Sequence, residues 1–108
     1  MKNITTSGRR KQSLARAILS DGKGRVTVNH IELKAMSPEL ARLKIMEPLM
    51  LAGDSASKVN LDITVTGGGV ITQADAARLA IARALVAYNA KLKEVFLDYD
   101  RHLLVADI

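Results

Sequence analysis

The chain has 108 residues, 48% of them apolar, a formal net charge of +5 and no cysteine. The size fits one domain, residues 1–108, with a single core. The missing cysteines exclude disulfides, thiolate metal sites and a cysteine nucleophile, and no apolar run reaches the roughly 20 residues of a membrane-spanning helix.

The charge is uneven. Residues 1–25 hold Lys2, Arg9, Arg10, Lys11, Arg16, Lys23 and Arg25 against one acid, Asp21, while the rest of the chain is nearly balanced. A repeated positive charge suits a repeated anionic partner, and nucleic-acid phosphate fits better than a small acidic substrate. Residues 1–11 read as a basic arm that orders only on RNA. The first residues lack the apolar middle of a signal peptide, so a cytoplasmic chain is expected.

Residues 12–19 alternate as a strand, with Leu14, Arg16 and Ile18 on one face and Ala15, Ala17 and Leu19 on the other. Asp21-Gly22-Lys23-Gly24 is a turn. Arg25-Val26-Thr27-Val28 should pair back on residues 12–19 as a hairpin, with Val26 and Val28 facing the core. Asn29-His30 is a second turn before the extended piece Ile31-Glu32-Leu33. Ser37-Pro38-Glu39 starts a helix, Ser37 as its cap, which runs through Leu40, Leu43 and Ile45 until Pro48 breaks or kinks it. Gly53 closes that region.

Asn60 to Thr66 is the clearest strand: Leu61, Ile63 and Val65 face one way, and Asp62, Thr64 and Thr66 the other. Gly67-Gly68-Gly69 ends it. Thr72 caps a long helix, from about Gln73 to about Asn89, with Asp75 as a capping-box partner. A short helix follows over Lys91–Asp98, then an extended piece over residues 102–108.

Few of these residues suggest catalysis. The glycine triplet lies between strand and helix but lacks the spacing and the lysine of a nucleotide loop. It is either a sharp turn or a place where an RNA backbone comes close. Arg78 and Arg83 lie about 140° apart on their helix, so one is expected at solvent or RNA and the other paired with an acid. His30 and His102 have no metal-ligand spacing, and Asp98, Asp100 and Asp107 have no nucleophile or base beside them. No cofactor, metal or small-molecule substrate is expected. The only aromatics are Tyr88, Phe96 and Tyr99. With no aromatic platform on the strands, a nucleic acid would be gripped by its backbone and shape. The alternatives are a free-standing RNA-binding assembly or processing factor, and an enzyme such as a small-molecule kinase.

At this point the sequence resembles the family of small-subunit ribosomal protein nine along nearly its whole length. Ser7-Gly8-Arg9-Arg10-Lys11 with Ala15-Arg16-Ala17, Gly22-Lys23-Gly24-Arg25-Val26 with Asn29, and Gly67-Gly68-Gly69 with Gln73-Ala74, Ala76 and Ile81-Ala82-Arg83-Ala84-Leu85 carry the resemblance. Ala41-Arg42, Glu47-Pro48-Leu49, Leu51-Ala52-Gly53 and Tyr99-Asp100-Arg101 resemble its archaeal and eukaryotic branch. The resemblance implies an α+β fold: a four-stranded sheet with helices on one face, like the second domain of ribosomal protein five, with a left-handed β-α-β crossover. It implies a structural, non-catalytic constituent of the small ribosomal subunit, bound to ribosomal RNA in the subunit head beside neighbouring ribosomal proteins. Arg9, Arg10, Lys11, Arg16, Lys23 and Arg25 become candidate RNA contacts, and Gly67, Gly68, Gly69, Gln73, Arg78 and Arg83 further ones.

The chain departs from the family at three places. Thr72 replaces a smaller residue, and His30 stands where glycine is common. The family's long basic tail, which reaches toward transfer RNA, has no counterpart here. The chain is expected to be a shortened member or one cut before the tail, and the transfer RNA contact is not carried over.

Overall fold

The computed structural model describes residues 3–36 and 38–99. Strand β1, Ile4–Arg10, turns at Lys11-Gln12 into β2, Ser13–Asp21, and pairs with it antiparallel from Ile4↔Leu19 to Arg10↔Ser13. Strand β5, Val59–Thr66, lies antiparallel on the other side of β2. Strand β3, Val26–Val28, runs parallel to β5, and β4, Ile31–Glu32, closes the edge antiparallel to β3. The order is β1-β2-β5-β3-β4.

This differs from the expected sheet in two ways. There are five strands rather than four, because residues 4–10 of the basic arm form an edge strand. Residues 25–28 do not pair back on 12–19; β5 lies between them. Loop 22–25 instead crosses the end of β5. There Gly22 N–H donates to Lys58 O at 3.2 Å and Gly24 N–H to Val59 O at 3.0 Å. The turn between β3 and β4 keeps its expected place. Asn29 and His30 have φ of 50° and 68°, the left-handed pair of a type I′ turn. Asn29 tolerates this because its amide brackets Val65: Nδ2 donates to Val65 O at 3.2 Å, and Oδ1 accepts Val65 N–H at 2.8 Å.

The helices cover one face. Helix α1 is Glu39–Ala52, α2 is Asp54–Ser57, α3 is Val70–Tyr88 and α4 is Leu92–Tyr99, with a 3-10 turn at Leu33–Ala35. Helix α3 lies against β1, β2 and β5, α1 packs on α3, and α4 contacts both helices. Parallel β3 and β5 are connected through α1, a β-α-β crossover. The period-2 pattern sends Ala15, Ala17 and Leu19 of β2 and Val59, Leu61, Ile63 and Val65 of β5 into the core, where they meet Ile45, Ile81, Leu85 and Phe96. The alanines of α3 let the sheet come close. At Gly8 an added Cβ would stand 2.6 Å from Ala76 O and 2.7 Å from Ala80 N. Gly8 is therefore a contact between strand and helix backbones.

Helix α1 runs through Pro48 without a break. The i, i+4, i+7, i+11 stripe of Ala41, Ile45, Pro48 and Ala52 is buried, and this burial outweighs the lost N–H. Helix α3 starts at Val70, earlier than the sequence suggested. Gly69 is its cap, and Thr72, the expected cap, is the third helical residue. Thr72 Oγ1 reaches back to accept Gly69 N–H at 2.9 Å, the returning half of a capping box. Asp75 takes no part in it and pairs with Lys44 of α1 at 3.1 Å. The Ser37 cap and the extended piece at 102–108 lie outside the described residues, as do Asp100, Arg101, His102 and Asp107.

Candidate nucleic-acid interface

The face of the sheet away from the helices is open. Thr5, Ser7 and Arg9 of β1, Leu14 and Arg16 of β2, and Asp62, Thr64 and Thr66 of β5 are exposed there. Alternation also places Arg25, just before β3, on this face, since Val26 and Val28 take the core side. Arg9, Arg16 and Arg25 thus share one surface. Arg9 pairs with Leu14, two residues from Arg16, so their Cα atoms are about 8 Å apart by strand geometry. Arg16 is paired with Ser7 and Thr64, which puts a hydroxyl on each side of the guanidinium. Acids are present too: Glu32 lies 3.5 Å from Arg25, and Asp62 accepts the Thr27 hydroxyl at 3.1 Å.

The two ends of the sheet carry two further exposed cations, Lys11 and Lys23. Lys11, φ 53°, is at the β1–β2 turn. Lys23 is in the loop at the far end, and Asn60 positions that loop. Its Oδ1 accepts Lys23 N–H at 3.1 Å and Arg25 N–H at 3.0 Å. Gly22 leaves room for this, since an added Cβ would lie 2.1 Å from the Asn60 amide. Arg10 has the opposite parity to Arg9 and is half-buried on the helical side.

The glycine triplet divides. Gly67 and Gly68 have φ of 79° and 65°. An added Cβ would meet Gln12 O at 2.3 Å in the first case and Ser13 Oγ at 2.2 Å in the second. The protein's own packing therefore requires both. Buried Ser13 donates to Gly67 O at 2.8 Å, with its Oγ also 3.0 Å from Thr72 Oγ1, and Gln73 Nε2 donates to the same Gly67 O at 3.0 Å. Gly69 has no neighbour within 4 Å of an added Cβ, so it alone of the three has open space that a ligand backbone could use. Its N–H is already satisfied by Thr72, unlike that of a phosphate cradle.

Arg78 and Arg83 brace α3 against its neighbours. Arg78 Nη2 pairs with Glu47 Oε2 of α1 at 2.7 Å, its side chain only 14% exposed. Arg83 Nη1 donates to Ser7 O of β1 at 2.9 Å. They tie α3 to α1 and to β1, and neither lies on the open face. Sequence reasoning missed Asn60, Ser13 and Thr6, whose Oγ1 donates to Ala80 O at 2.8 Å. Ser13 carried one signal: it shares the buried alternation of Ala15, Ala17 and Leu19.

The comparisons with known proteins agree with one another. Residues 8–108 match the family described as ribosomal protein S9/S16. The chain is 46% identical to small ribosomal subunit protein uS9 of Methanothrix thermoacetophila, over 99% of this chain and 83% of that one. It is 44% identical to uS9 of Methanococcus maripaludis, over 99% and 81% respectively. With the family match over residues 8–108 and an archaeal relative aligned over 99% of this chain, the chain belongs to the ribosomal protein S9/S16 family.

Proposed function

We propose that this chain is a structural constituent of the small ribosomal subunit that holds ribosomal RNA through its backbone. The observation that carries the reading is the placement of Arg9, Arg16 and Arg25 on one open sheet face, with exposed Lys11 and Lys23 at its two ends. The face has hydroxyls beside its cations and no aromatic ring. That chemistry suits phosphate and ribose rather than stacked bases. The core and Asn60 fix these cations in advance, so they neutralise phosphate at a set geometry and let RNA segments pack closely. No step of catalysis is involved. The setting is the ribosome, with neighbouring small-subunit proteins as further partners. The names of the curated relatives favour this over a free-standing processing factor.

Salt titration tests the interface. If these five cations meet phosphates, log K against log salt for a small-subunit RNA fragment has a slope of about −3.5 to −4.5. The triple variant Arg9→Gln, Arg16→Gln, Arg25→Gln is expected to reduce that slope by about 2 to 3. A slope unchanged in the folded triple variant places the RNA elsewhere on the surface.

A further inference from the structure

Helix α1 is apolar on more sides than its own fold uses. Only Glu39, Arg42, Lys44 and Glu47 of its fourteen residues are charged. The core takes one stripe, and Leu40, Leu43 and Met50 are left 57%, 47% and 73% exposed. A helix apolar all round is normally covered all round. Alongside α1 runs a groove of about 500 Å³, between the helix, loop 23–26 and the 3-10 turn. Val26, Leu33, Met46 and Leu49 line it, with Met50 beside them. Lys23, Arg25, Lys34 and Arg42 also line it, against Glu32 alone. Glu32 and Glu39 sit 3.5 and 3.4 Å from Arg25 and Arg42. These are exposed, weak pairs, and the rim stays net positive.

We propose that this groove docks a segment of another protein whose apolar side chains are flanked by Asp or Glu. The inference rests on the reading of the chain as a small-subunit constituent, in which the occupant is a neighbouring protein of the same assembly. Charge complementarity selects it. RNA matches the basic rim but leaves Met50 and the partly buried Val26, Met46 and Leu49 without apolar cover, and the floor has no aromatic ring on which a base could stack. A second copy of this chain would set Lys34 and Arg42 against the same cations. Methionines suit an inserted side chain because they repack easily. Lys23 and Arg25 stand between the groove and the open sheet face and are shared by both, whereas Lys34 and Arg42 line the groove alone, so with RNA on the open face the acidic flanks of the peptide fall to Lys34 and Arg42.

The test places p-benzoyl-phenylalanine at exposed position 50 and irradiates purified, salt-washed small subunits. The expected product joins position 50 to a different polypeptide, at a peptide with apolar residues next to Asp or Glu. A crosslink to RNA, to a second copy of this chain or to a peptide without acidic flanks overturns the proposal, as does an absence of crosslinks from assembled chain. Absence of the chain from washed subunits counts against the ribosomal reading instead. In that case the free protein decides, by amide shifts on titration with a synthetic peptide of Leu anchors among Glu residues and with poly-Glu. The expected result is at least tenfold tighter binding of the Leu-Glu peptide, with shifts at Val26, Leu33, Met46 and Leu49, and loss of that advantage in Met50→Glu. Equal affinity for the two peptides overturns the proposal.

Discussion

At the scale of single residues, two neighbouring glycines make opposite predictions. Gly68→Ala forces a Cβ onto Ser13 Oγ at a positive φ, and a cost of about 2–4 kcal/mol is expected in urea unfolding. Gly69→Ala meets nothing within 4 Å, and its φ of −92° suits alanine. Stability should fall by about 1 kcal/mol or less, the cost of alanine for glycine at a helix cap. If RNA backbone approaches there, Gly69→Ala, and more so Gly69→Leu, weakens RNA binding in a protein that still unfolds normally. Asn60 is the other residue with a separable role. Asn60→Ala removes the acceptor of two loop N–H groups. It should cost about 1 kcal/mol, because water can replace the acceptor at that exposed site. It should also lower RNA affinity by loosening Lys23 and Arg25, and an affinity equal to the parent's would show that loop geometry is irrelevant to binding.

At the scale of elements, β1 turns a run of charges into part of the sheet. Thr6 is anchored to Ala80, Gly8 packs on α3, and Arg83 holds Ser7 O. Amides of β1 bonded to β2 should therefore be protected from exchange in the RNA-free protein, and Gly8→Ala should abolish that protection at a cost of about 1–3 kcal/mol. Fast exchange of β1 in the free parent protein would restore the earlier picture of an arm ordered only on RNA. This element was not legible because Ser7-Gly8-Arg9-Arg10-Lys11 has the composition of a solvated terminus, and its strand character depends on a distant helix rich in alanine. Strand β5 and helix α3 were legible, because their periods are clean over 8 and 19 residues. Residues 26–28 are legible as a strand, but their partner is not. Local turn signals favour a hairpin, and only the longer-range demand of β5 for a partner at each edge displaces it.

At the scale of the whole molecule, the fold sorts its cations by the parity of strands. Arg9, Arg16 and Arg25 fall on the open face, while Arg10 is turned toward the helical side. Alternation along residues 12–19 and 60–66 already contained that division for Arg16. For Arg9 and Arg25 it needed the pairing of β1 and the crossover to β3. Arg78 and Arg83 show the opposite case. Helix geometry separates the two, one toward solvent or RNA and one toward an acid, and packing supplies Glu47 as the acid for Arg78 and Ser7 O as the partner of Arg83. The basic face and the family together imply that this folded unit stays in the small subunit permanently. The most direct measurement is quantitative mass spectrometry of small subunits washed at high salt. One copy of the chain per subunit is the predicted result, and a chain that washes away or is present in only a small fraction of subunits would contradict it.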